Sequence, residues 1–160
     1  MFKRTSACLA IGLLAFLLLT GCEDKVEEVE LPIQLIAENS FFSDFEIDEK
    51  SETVIIDCYL TFRNDTTDDQ NFAVAADFQV DEDGGLLDEG KLYGTIRETG
   101  ADTFCLAAGE TKGDYIRFIG DHGGSPMKAN RNLPEEITIQ VGEDEYSWDR
   151  QEDGSFVLIE

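Results

Sequence analysis

Alternation with a period of two organises most of the chain. Across residues 53–63, Val54, Ile56, Cys58, Leu60 and Phe62 fall on one side of an extended backbone, and Ile55, Asp57, Tyr59, Thr61 and Arg63 on the other. Successive side chains of a strand point to opposite faces, so this segment is a predicted strand with one apolar face. Residues 64–69 are a run of turn formers. The alternation resumes over 71–80, with Phe72, Val74, Ala76, Phe78 and Val80 on one face and Ala73, Ala75, Asp77 and Gln79 on the other. That predicts a second strand, solvated on one side.

Shorter runs extend the pattern. Residues 91–98 place Leu92, Gly94 and Ile96 inward, and 103–106 carry Cys105. Residues 114–119 and 137–141 follow, and a closing hairpin of 145–148 and 155–159 turns through Glu152, Asp153 and Gly154. Ahead of the strong strand lies an apolar run, 31–37, with Pro32 suited to a sheet edge or strand start. Phe41, Phe42 and Phe45 are expected around a Ser43-Asp44 turn, and residues 81–85 form another turn. Residues 120–132 have no periodicity and hold three Gly and one Pro, which predicts a long loop. About eight short strands separated by turn signals, without helical spacing beyond the first residues, predict an all-β antiparallel sandwich.

The first residues read differently. Lys3 and Arg4 precede a 13-residue apolar run, 7–19. A span of the hydrocarbon core needs about 20 residues, so this is an export signal rather than a transmembrane anchor. It ends in Leu19-Thr20-Gly21-Cys22, which resembles the lipobox of bacterial lipoproteins. The resemblance implies that Cys22 carries the lipid and becomes the first residue after cleavage. Residues 1–21 are then the lipoprotein signal peptide, and 22–30, with five acids and one lysine after Cys22, a solvated tether. Residues 31–160 are the β-sandwich domain. Two or more acyl chains anchor stably, each buried CH₂ contributing about 0.8 kcal/mol.

Charge narrows the partners. All 35 acidic residues lie after residue 21, with 10 of the 12 basic ones, so the exported part carries −25. Nucleic acid is excluded, because phosphate binding requires clustered Lys and Arg. A polybasic hold on anionic lipid is excluded on the same ground.

Cys58 and Cys105 are the pair left after Cys8 leaves with the signal and Cys22 takes the lipid. In an oxidising compartment an even pair predicts a disulfide, worth roughly 4 kcal/mol on the chain-entropy argument. The alternative is two reduced structural cysteines. The order of Phe62-Arg63-Asn64, Phe78-Gln79-Val80-Asp81, residues 106–111 leading into 115–118, and Leu133-Pro134 resembles small immunoglobulin-like domains of unknown function in bacterial surface lipoproteins. Two departures from true immunoglobulin domains stand out. Trp148 follows both cysteines, and no tyrosine sits two residues before Cys105. The resemblance implies a sandwich on a lipid, with no catalytic residues to carry over.

No residue set beyond this carries chemistry. The one histidine, His122, sits between Asp121 and Ser125 in the predicted loop, where neighbours lack the fixed geometry of a triad. One His and two Cys do not make a zinc site. Asp81, Asp83 and Asp88 flank Gly84 and Gly85, but an EF-hand loop starting at Asp81 meets Gly85 at its fifth position and Leu92 at its twelfth. The 120–132 loop holds His122, Lys128 and Arg131 with a single acid, and is a candidate partner-facing edge. The sequence therefore predicts a lipid-anchored binding or interaction module on the extracytoplasmic side of a membrane in a bacterial cell envelope. It needs no cofactor, has an envelope protein as its candidate partner, and has no catalytic or metal residues. The alternatives are an accessory structural subunit of an envelope complex and a weak calcium-binding surface module, with an enzyme last.

Overall fold

A computed structural model describes residues 31–125 and 129–159. The strands are β1 (Ile33–Leu35), β2 (Phe41–Asp48), β3 (Thr53–Asn64), β4 (Gln70–Asp77), β5 (Lys91–Ile96), β6 (Phe104–Leu106), β7 (Thr111–Asp121), β8 (Glu136–Val141), β9 (Asp144–Arg150) and β10 (Phe156–Ile159). A 3-10 turn (Ala37–Asn39) and a short helix α1 (Gln79–Asp83) complete the elements. The predicted all-β antiparallel class holds: the strands join in the order β1-β3-β7-β5-β4-β8-β9-β10, with β2 on β3 and β6 on β4. Among the described residues no helix is long and apolar enough to cross a membrane.

The sheet curls because β5 changes partners along its length. Lys91, Leu92 and Tyr93 pair with β4, while Gly94, Thr95 and Ile96 pair with β7. Gly94 permits the crossing, since a Cβ there would stand 2.7 Å from Ile116 and 3.0 Å from the Phe118 ring. A glycine at such a bend lets two backbones approach closely. The two halves then face each other, sandwich-like. Phe62 of β3 meets Phe72 of β4 edge-on at 5.2 Å, and Phe78 meets Phe118 of β7 at 5.3 Å. The inward row of β3 is buried with Ile116, Val74, Ile137 and Ile139, so the alternation that predicts the strands also fills the core.

Three expectations change. The predicted turn at Ser43-Asp44 is a β-bulge inside one continuous strand, with the register shifting between Phe42 and Asp44. A bulge inserts one residue without ending the ladder. The strand expected over 71–80 stops at Asp77. Phe78 still points into the core, but its carbonyl accepts the amides of Asp81 and Glu82 and the chain turns into α1. Val80 is half exposed in consequence. The predicted 120–132 loop is partly strand: β7 runs through Asp121, and His122 bridges to Leu87.

The disulfide expected between Cys58 and Cys105 is not formed; both thiols are free. Cys58 lies in the core row of β3. On β6, Phe104 and Leu106 are the buried positions, so alternation turns Cys105 outward to solvent.

Candidate functional site

The outward row of β3 builds the most elaborate surface of the described residues. Register sets Asp44 of β2 opposite Asp57, Asp57 opposite Arg117 of β7, and Arg117 opposite Thr95 of β5. One step along, Phe41, Tyr59 and Tyr115 stand side by side. One step the other way are Glu46, Ile55 and Ile119.

Arg117 holds Asp57 with two bonds, Nε to Oδ1 and Nη2 to Oδ2, each 2.9 Å. Arg97 Nη1 stands 3.6 Å from the same Oδ2, and its guanidinium lies 4.1 Å over the Tyr115 ring. Two cations thus converge on a carboxylate that is only 6% exposed. The planar guanidinium matches a carboxylate in this two-point way, which fixes both side chains. The hydrogen bond to Asp57 raises the Arg117 pKa further, so the guanidinium stays charged.

The aromatic row is equally ordered. Phe41 stacks on Tyr59 at 5.1 Å, and Tyr59 meets Tyr115 edge-on at 5.0 Å. The Tyr59 ring lies over Gly113, where any Cβ would collide with it. Beside these rows is a concavity of about 270 Å³ lined by Asp44, Glu46, Ile55, Asp57, Arg97 and Arg117. Phe41 (49% exposed), Ile119 (53%) and Tyr93 (74%) leave large apolar area open to solvent. The arrangement offers a rigid, patterned contact surface; its one strongly held carboxylate is already occupied by arginine.

The sequence-predicted site residues are dispersed. Cys22, the signal and the tether lie outside the described residues, as does Lys128. His122 Nε2 meets the backbone carbonyl oxygen of Ser125 at 3.0 Å, and its amide donates to Glu52 O. That arrangement ties down a loop. Asp81 is turned inward and accepts the Asn130 amide at 2.8 Å, while Asp83 accepts from Gln79. Burial pushes the Asp81 carboxyl up from the usual carboxylate range. Among the described residues no cluster of His, Cys, Asp and Glu has the geometry to hold a metal ion. The described part of the 120–132 segment is fastened down, with Ala129 buried in the core and Arg131 5.9 Å from the Phe45 ring. Alternation alone assigns Asp57, Tyr59 and Arg63 to the face away from the core and goes no further. The signal that could have found the surface is the aspartate and arginine, Asp57 and Arg117, set among apolar residues in the two longest strands.

No protein-family model matches the chain, and no curated protein does. Among solved structures it is similar to a FixG-related protein from Vibrio parahaemolyticus, at 15% identity and TM-score 0.37, over 81% of this chain and 92% of that one. It is also similar to the exo-chitosanase CsxA of Amycolatopsis orientalis, at 14% identity and TM-score 0.38, over 80% of this chain and 15% of the enzyme.

Proposed function

We propose that the chain is an exported lipoprotein, held by lipid on Cys22, whose β-sandwich binds another protein of the bacterial envelope. The observation that supports binding is the exposure of Phe41, Ile119 and Tyr93 on the outer sheet face, on either side of its ordered tyrosines and arginines. Tyrosine and arginine are enriched where protein partners meet, because they combine large contact area with polar ends. The partner is a protein with a basic, partly apolar contact surface. A chain of net charge −23 repels acidic partners, and Asp44, Glu46 and Asp121 lie on the same outer face.

Two measurements test this reading. Intact mass and membrane fractionation of the native protein beside Cys22→Ala should show a lipid-sized added mass and membrane retention, both lost in the variant; a free, unlipidated native chain rejects the anchor. A photo-crosslinking residue at Tyr93 should give one discrete adduct in cells, lost when Ile119 is changed to Glu. The same label at Val157, on the far end of the sheet, should give none. Equal labelling at both positions rejects the outer face as the contact.

A further inference from the structure

A second aspartate sits at the end of β4, in very different company. Asp77 pairs in register with Lys91 of β5 on one side and Glu136 of β8 on the other. Two residues later α1 begins, and it brings Glu82 back over the same corner, where Glu82 Oε2 accepts the Gly90 amide at 2.7 Å. The point a Cβ on Gly90 would occupy is 2.7 Å from Asp77 Oδ1 and 2.8 Å from Glu82 Oε2. Two carboxyl oxygens therefore crowd one glycine. Asp77 Oδ1 is buried and has no hydrogen-bond partner among the described residues.

The charged groups around it do not relieve this. On α1 stands Glu82. At the start of β8 stand Glu135, engaged by Arg150 of β9 at 2.7 Å and by Asn130 at 3.1 Å, and Glu136, which accepts the Thr138 and Ser147 hydroxyls. On β9, Asp149 is opposite Glu136. Lys91 of β5 lies 3.9 Å from Glu145. Among the described residues the corner thus offers a bare buried oxygen and several acids, with Arg150 engaged by Glu135 and Lys91 alone opposing the negative charge on Asp77. An ionised carboxylate without a donor is costly in such a place, whereas a protonated carboxyl is itself a donor.

We propose that Asp77 is the proton-held clasp of this corner: protonated, it donates toward Glu82 and ties α1 to the end of β4, and losing the proton to solvent loosens that junction. The consequence reaches beyond one helix. Glu135 accepts the Val80 amide of α1, and Asp81 holds Asn130, so the segment entering β8 is fastened through the same helix. The direction of titration agrees. Burial first, then the negative charges of Glu136, Glu82 and Glu135, push the Asp77 carboxyl above its ordinary value of 3.8. A folded-state value raised in this way makes the stabilising contribution complete below the ordinary value. It is lost as the pH rises through the raised one.

The test is thermal unfolding of the full chain in mildly acidic and mildly alkaline buffer, for the native protein, Asp77→Asn and Glu82→Gln. The amide of asparagine donates at every pH. Asp77→Asn should melt about 4 °C above the native protein in alkali and show a smaller difference between the two buffers. Glu82→Gln should also flatten the difference. The general effect of the negative net charge is nearly common to all three proteins, so the comparison isolates the corner. An Asp77→Asn protein with the native pH dependence overturns the proposal. A carboxyl-carbon NMR titration of the native protein needs no variant: a midpoint above 3.8 for Asp77 supports the clasp, and an ordinary midpoint rejects it.

Discussion

Asp57 and Asp77 are both outward-row aspartates in central strands, and both sit beside another acid across the ladder. Asp57 faces Asp44, and Asp77 faces Glu136. They end in opposite conditions. Opposite Asp57 on its other side is Arg117, whose fork closes on both carboxylate oxygens, with Arg97 behind it. Opposite Asp77 is Lys91, which stands 3.9 Å from Glu145, and Asp77 Oδ1 has no hydrogen-bond partner among the described residues. The difference shows that a strand position does not determine the fate of a charged side chain. The cross-strand partner does, and arginine succeeds where lysine does not because its two donors are fixed in one plane.

The largest effect that breaks this comparison comes from making Asp57 resemble Asp77. Arg117→Ala leaves a nearly buried carboxylate next to Asp44 with Arg97 alone to meet it, and should cost about 2 kcal/mol in a urea titration. Adding Asp57→Asn to the same protein should recover most of that loss, because the stranded charge is then gone. A double variant as unstable as Arg117→Ala alone would mean that packing, not charge, underlies the effect.

Gly90→Ala probes the other corner and should cost about 1.5 kcal/mol, since the new methyl group is driven against two carboxyl oxygens and the Phe78 carbonyl carbon. The cost should grow in alkali, where the two oxygens also repel. Gly113→Ala, under the Tyr59 ring, is milder. The half-buried ring must shift against Phe41 and Tyr115 to admit the methyl group, so about 1 kcal/mol is expected, with no pH dependence between mild acid and mild alkali. A pH-dependent Gly113→Ala, or a pH-independent Gly90→Ala, would erase the distinction between the two aspartates.

Much of the fold was legible because its core is built by alternation. The inward residues of β3 from Val54 to Phe62 are apolar at every second position, as are Ile116 and Phe118 of β7, and all of them are buried. The bulge at Ser43 and the helix at 79–83 were not legible as such. Both segments carry turn-forming residues, and hydrogen bonds to distant strands decide whether such a segment ends a strand, kinks it or coils. The outer-face surface was half legible. Its residues are visible in the sequence, but only register reveals that Asp57 meets Arg117, or that Phe41, Tyr59 and Tyr115 form one row. The corner at Asp77 was not legible, because α1 returns Glu82 to it across a turn that the period of two does not describe.

The smallest effect tests the same rule on the cysteines. Cys58 and Cys105 both lie in strands, but one shares its side with the core and the other does not. Alternation is enough to tell them apart, because Phe104 and Leu106 are the apolar neighbours that must face inward. Burial, with a smaller contribution from Asp57, pushes the Cys58 thiol up to about 12, which keeps it protonated and unreactive. A thiol reagent should therefore label Cys105 in the folded protein at once and Cys58 only on unfolding. Cys105→Ser, on an exposed position with no structural bond, should change stability by less than about 0.5 kcal/mol. If the two sulfurs were joined, neither would label before reduction, and Cys105→Ser would cost roughly 4 kcal/mol through the lost cross-link. The two outcomes differ so widely that one labelling experiment decides whether facing direction or oxidation governs this pair.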